Sequence, residues 1–242
     1  MHRSTVAGAV LGLRSDVTVE LANTSPLLRE AMRLRYQVYC IERGFEAGEG
    51  GLERDEFDDC ALHAIVRLRE TGEVAGTVRL ILPNRSTGEH FYPIQHLCGP
   101  DLLRDVPLST TGEVSRFALA KQVRNSSASS SPFLRLALIQ GAVRLSAEAG
   151  HTHWLAVMEP TLIRLLGATG LHFSPIGPLV DYHGIRQPAV AELVPVLRRL
   201  AVEQPAVWEY VTRGGTLFPE SRPRASPTRS PAPTPAIEAM AA

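Results

Sequence analysis

The strongest constraint on this chain is a change in the order of its β and α patterns. Val17, Val19 and Leu21 alternate with polar neighbours, which predicts a strand. Ser25-Pro26 then supplies a cap and a proline for the first helical position. A helix is expected from there to about Cys40, with Leu27, Leu28, Ala31, Leu34, Val38 and Ile41 inward. Three β-patterned runs follow in succession, at 64–68, 74–82 and 113–120, the first two joined into a hairpin by Thr71-Gly72-Glu73. Beyond residue 130 strands and helices alternate: a helix over 132–149 with Phe133, Leu136, Ile139, Gln140 and Val143 on one face, a strand over 153–158, a helix over 159–168, a strand over 171–176 and a last helix over 188–202. A meander followed by α/β units does not make a doubly wound parallel sheet. It predicts an α/β fold with a mixed central sheet flanked by helices.

Composition narrows the class further. Apolar residues make up 44% and charged residues 21% of 242, inside the globular range, so neither a disordered chain nor a coiled-coil rod is expected. No run approaches the ~20 apolar residues that span a bilayer. Three cysteines, Cys40, Cys60 and Cys98, with no CxxC spacing, argue against a disulfide or zinc framework. A cytoplasmic enzyme-sized domain is expected over 16–216. It is preceded by a leader at 1–15 and followed by a disordered tail at 217–242, rich in proline, alanine and serine, that cannot bury enough apolar surface to order itself. The absence of G-x-G-x-x-G and G-x-x-x-x-G-K-[ST] leaves dinucleotide and nucleoside triphosphate chemistry unsupported.

The net charge of zero excludes a general nucleic-acid binder, which needs a basic excess. It also hides a segregation. Residues 42–59 carry eight acids against Arg43 and Arg54, whereas residues 114–147 carry Arg116, Lys121, Arg124, Arg135 and Arg144 and no acid. Two solvated faces would explain this. So would a polar site beside a docking surface for something anionic.

Polar residues break otherwise well-patterned elements at several places, as functional sites do. Arg35 lies between Leu34 and Val38 on the first helix, with Tyr39, Arg43 and Phe45 following. Glu53 to Asp59 is almost wholly charged. Arg79 falls inside a strand, and Glu113-Val114-Ser115-Arg116 inside another. In a regular strand Glu113 and Ser115 share one face and Arg116 takes the other.

These spacings resemble those of the autoinducer (acyl-homoserine lactone) synthases of the GNAT superfamily: an arginine, an aromatic four residues on, a second aromatic six further, D-x-x-D, a strand arginine and E-x-S-R. They are met by Arg35, Tyr39, Phe45, Asp55 with Asp58, Arg79, and Glu113 with Ser115 and Arg116. The strings RLRYQVYCIERGF, GEVAGTVRLILP, THWLAVMEP and HFSPIGPLVDYHGIRQP resemble the PEP-CTERM/exosortase system-associated acyltransferases, a group related to N-acyl amino acid synthases. The second half departs from the lactone synthases.

The resemblance implies a GNAT-like fold and transfer of a fatty acyl group to a small amine, an amino acid in the first reading, with acyl-carrier protein (a phosphopantetheine thioester) or acyl-CoA as donor and no bound cofactor or metal. Glu113 would be the general base, with Ser115 positioning the acceptor or a water. Arg35, Tyr39, Phe45, Asp55, Asp58 and Arg79 would bind the acceptor and tie the acidic loop to the sheet. Arg116 would be a structural ion pair. Before the central helix the sequence reads KQVRNSSASSS, without the glycines of a pyrophosphate cradle, so Lys121 and Arg124 would meet the carrier's single phosphate. Two other outcomes stay open: a homoserine-lactone synthase, and a non-catalytic GNAT-fold binding or regulatory module.

Several residues read two ways. Cys40 and Cys98 suit inert buried thiols or an acyl relay, and His151-x-His153 a strand edge or half a metal site. Asp181-Tyr182-His183-Gly184 reads as a tight turn or a tunnel wall. Trp154 and Trp208 read as core, as do Phe117, Phe133 and Phe173 unless they wall an acyl pocket.

Overall fold

The computed structural model describes residues 16–83, 92–125 and 131–223. The expected leader, most of the serine-rich lead at 126–130, the Phe133 side chain and the tail beyond 223 lie outside the described residues. Strand β1 (Val17–Leu21) leads into helix α1 (Ser25–Arg35), which runs on as a π-helical turn (Tyr36–Glu42). A loop and a 3-10 turn (Glu56–Cys60) precede the meander β2 (Ala61–Leu68), β3 (Val74–Ile81) and β4 (Thr111–Leu119), with α2 (Pro93–Cys98) inserted before β4. Then come α3 (Lys121–Asn125), α4 (Ser131–Ala149), β5 (His153–Met158) and α5 (Pro160–Ala168). The chain closes with β6 (Ser174–Pro175), β7 (Val180–Asp181), β8 (Ile185–Glu192), α6 (Leu193–Glu203) and α7 (Pro205–Val211).

The sheet order is β1-β2-β3-β4-β5-β8-β6, with β7 also pairing β8. The pairings are antiparallel except β4 with β5, so the sheet is mixed, as the pattern order requires. One face packs on α4, α6 and α7 in a core that includes Val78, Leu80, Leu138, Val143, Trp154, Leu197 and Val207. α4 is buried over most of its circumference, wider than the single stripe expected of it. Its Ser146 hydroxyl accepts the Trp154 indole N–H at 2.7 Å. The other face carries a smaller cluster of Ile81, Tyr92, Ile94, Leu103 and Leu155. Among the described residues no helix is long and apolar enough to cross a membrane.

The structure differs from the sequence-based expectation at four places. Ile41 is 57% exposed rather than inward, because the π turn adds a residue per turn and rotates the face that α1 established. The strand expected over 171–176 shrinks to Ser174–Pro175, at the edge where a proline without an N–H is tolerated. The helix expected over 188–202 is a strand as far as Glu192 and a helix only from Leu193. Pro188 lies within the strand, opposite Val157 of β5. The proline that belongs to a first helical turn is Pro195, while Ala189 and Ala191 bury alternately against β5. The ordered chain also continues past residue 216: Phe218 is buried, and the Trp208 indole donates to Ser221 Oγ at 3.1 Å.

Candidate active site

Two departures from a regular sheet build the site. β4 and β5 pair only over Thr111↔His153, Gly112↔Trp154 and Glu113↔Leu155. Beyond that point β4 continues beside β3 and β5 beside β8, so the sheet opens into a V with Glu113 at its vertex. The second departure lies on β4. Arg79 pairs with Ser115, but Thr77 pairs with Ala118, so β4 carries one extra residue. Arg116 takes it up at φ 49°, a bulge in left-handed backbone. A bulge re-aims a side chain, and here it corrects the expectation that Arg116 faces away from Ser115. Arg116 reaches the carboxylates of the acidic loop, and Ser115 meets Arg79, which binds the same loop.

Three guanidiniums gather around three carboxylates there. Arg35 donates bidentately to Asp58 at 2.6 and 2.8 Å, and its Nε to Glu53. Arg79 donates to Asp55 at 2.5 and 2.9 Å, to Asp58 at 2.8 Å, and through Nε to Ser115 Oγ at 2.9 Å. Arg116 donates to Glu53 at 2.8 Å and Asp55 at 2.9 Å, with Glu46 at 3.2 Å. The loop is shaped to present these acids. Asp55 accepts from the Phe57 N–H at 3.0 Å, and Asp58 accepts from the Asp55 N–H at 2.9 Å, a reciprocal cap on the 3-10 turn.

The electrostatics follow. Burial would raise the carboxyl pKa of Glu53, Asp55 and Asp58, but arginine hydrogen bonds and charge outweigh it and hold all three below their ordinary values. His63 lies at the same cluster, Nε2 3.5 Å from Asp58 Oδ1, and is pushed down to about 4 by burial and by Arg35. Glu113 moves the opposite way. It is buried, accepts the Ile94 N–H at 3.0 Å, and is pushed up to about 7 by burial against the weaker pull of that N–H, Arg79 and Arg116.

A cleft of about 610 Å³ runs along the V. Glu113, Ser115, Asp55, Arg79, Tyr39 and Phe45 line it, so most residues singled out in the sequence meet there. Arg35 and Asp58 do not reach it: Arg35 is 0% and the Asp58 side chain 1% exposed, so both are sealed behind it. Arg124 lines the cleft and pairs with Glu42. Lys121 sits beside it in an adjoining hollow of about 570 Å³, with Gln37 and Ile41. Phe117, Leu162 and Leu165 supply apolar walls.

Two residues at the site, Glu53 and Arg186, carried no sequence expectation of such a role. Glu53 bridges Arg35 and Arg116, and its signal was the density of acids around it. Tyr182 and His183, which the sequence left between a tight turn and a tunnel wall, line the cleft from the β7–β8 turn, together with Arg186. No periodicity or spacing tied that turn to the first half.

Residues 34–131 match the model of the acetyltransferase (GNAT) domain family. The fold is GNAT-like, and the protein is an acyltransferase. No curated protein matches the sequence. Among solved structures, FeeM, an N-acyl amino acid synthase from uncultured soil microbes, is similar at 16% identity over 76% of this chain and 93% of its own, with a TM-score of 0.58. The AHL synthase LasI aligns at 19% identity over 74% of this chain and 93% of its own, TM-score 0.57. BjaI, a CoA-dependent acyl-homoserine lactone synthase solved with SAM and isopentyl-CoA, aligns at 20% over 78% and 89%, TM-score 0.57. At these identities the likeness is one of fold.

Proposed function

We propose that the protein moves a fatty acyl group from an acyl-carrier-protein thioester to the amine of a small acceptor, an amino acid. The observation that carries this is Glu113 at the vertex of the opened sheet: a buried carboxyl with a pKa of about 7, facing a cleft with a polar and an apolar wall. An amine arrives as an ammonium ion and must lose a proton before it attacks. A carboxylate with a pKa near 7 suits that exchange at neutral pH. The amine nitrogen then attacks the thioester carbonyl, the C–N bond forms, the C–S bond breaks, and the released thiolate takes up a proton. Backbone N–H groups of β4 beyond the last β5 pair would hold the oxyanion. Ser115 accepts from Arg79, so its own hydroxyl proton is left to orient the acceptor.

Asp55, Tyr39, Phe45 and Arg79 would contact the acceptor. Arg35 and Asp58 act behind them, pinning the loop that carries Asp55, and Arg116 joins that loop to the bulge. Lys121 and Arg124 would receive the acidic carrier and its phosphate, in the cytoplasm. The link to the PEP-CTERM/exosortase system belongs to the same proposal and is supported by the four strings of the sequence.

Mass spectrometry of lipid extracts tests this, comparing cells that express the protein with cells that express Glu113→Gln. An N-acyl amino acid present only with the first supports the reading. An acyl-homoserine lactone would reassign the acceptor. No new acyl amide with either would favour the non-catalytic alternative.

A further inference from the structure

We propose that Tyr182 and His183 roof the acceptor end of the cleft and position the amine for attack. What they position rests on the acyl-transfer reading. That they form a roof rests on geometry. They sit at the tip of a short hairpin closed by Val180↔Arg186 and Asp181↔Ile185, whose Leu179 and Ile185 are 55% and 54% exposed. The tip turns through His183 at φ 52° and Gly184 at φ 93°. Left-handed backbone is uncommon for a residue with a Cβ, and histidine is among the types that enter it most readily.

That turn aims the imidazole at the cleft. It stacks on Phe45 with ring centres 4.6 Å apart and planes 16° from parallel, and its Nε2 is 3.8 Å from Glu46 Oε1. The Tyr182 ring lies 4.4 Å from His183, and its hydroxyl interacts with Arg116. Arg186 fixes the tip by donating to the His183 carbonyl at 2.8 Å. The hairpin thus meets the acidic loop through Phe45 and Glu46, and the bulge through Arg116, all residues that line the cleft. A flat stack over this end keeps water from competing with the amine for the thioester.

Hydrogen exchange and steady-state kinetics test it together. The donor is a decanoyl thioester of acyl-carrier protein, and the amines are pooled L-amino acids and L-homoserine lactone. The variants are His183→Asn, which tolerates the left-handed backbone but cannot stack, Phe45→Leu, and both together. Amine binding is expected to slow exchange over 178–186 in the unaltered protein, and His183→Asn to remove that protection. The same variant should raise the amine KM roughly tenfold, the upper worth of one stacked ring pair, and leave the donor KM unchanged. Phe45→Leu should match it, and the double variant should add nothing further. Equal losses in donor and amine parameters, additive effects, or exchange that no amine alters would overturn the roof. Protection that depends on His183 without amide formation leaves the roof standing and counts against the acyl-transfer reading.

Discussion

The Glu113 carboxylate accepts the Ile94 N–H at 3.0 Å from the last β4 residue that still pairs with β5, opposite Leu155. One residue therefore combines a buried acid, a fixed orientation and the start of the gap in the sheet. If it takes the proton from the amine, Glu113→Gln keeps the acceptor for Ile94 and loses the base. The turnover number should fall by roughly 10²–10⁴ with the fold intact. The unaltered enzyme should lose activity as pH drops through about 7, where Glu113 becomes protonated. A pH–rate profile checks both, and a profile that Glu113→Gln leaves in place would remove Glu113 from the mechanism.

Glu113 and His63 make opposite contributions to stability against pH. Glu113 is raised from 4.5 to about 7, so the folded state holds its proton more tightly, and stability falls as pH rises from 4.5 to 7. His63 is lowered from 6.5 to about 4, so the unfolded state holds its proton more tightly, and stability rises with pH between 4 and 6.5. The two slopes largely cancel, each corresponding to about 3 kcal/mol over its window. Denaturant melts at several pH values should show Glu113→Gln rising in stability from pH 4.5 to 6.5 and His63→Phe falling over the same range. Parallel curves for the two variants would contradict the assignment.

Much of this was legible in the sequence, and the failures have physical causes. Strand alternation and the order of elements gave the mixed sheet, since patterning records which face is buried. Charged residues inside apolar elements marked Arg35, Arg79 and Glu113, because burying a charge without a partner is too costly to be incidental. Three features were hidden. The extra residue at Arg116 leaves no compositional trace, so its side chain was assigned to the wrong face. The π turn rotates Ile41 outward by a hydrogen-bond shift that no residue type signals. The Phe45–His183 stack joins positions 138 residues apart, which a single sequence does not link.

Arg35 separates structure from binding. It is sealed behind the cleft and donates to both Asp58 and Glu53, so its removal leaves two buried carboxylates short of donors. Arg35→Met should cost about 3–5 kcal/mol of stability, the range for breaking a buried pair. Arg35→Lys should recover only part of that, because an ammonium cannot reproduce the fork to Asp58. Under conditions where either variant is folded, the donor KM should be unaltered. Denaturant melts and kinetics on the folded fraction check this. Full stability in Arg35→Lys would mean that the fork geometry is unimportant.

Lys121 offers the cleanest test of the carrier surface. Arg124 is already engaged with Glu42, so reversing its charge would set two acids against each other and disturb the cleft wall as well. Lys121 is exposed on α3, has no ion pair among the described residues, and lines the hollow beside the cleft. If an acidic carrier docks there, Lys121→Glu should raise the acyl-carrier-protein KM by about three- to tenfold at low salt, the usual worth of a rim charge, mostly through slower association. The difference should shrink as ionic strength rises and the Debye length falls below about 10 Å. A free acyl-phosphopantetheine donor, which keeps the phosphate but has no protein surface to dock, should show no such change. An equal effect on both donors would place Lys121 at the pantetheine arm instead of the carrier surface.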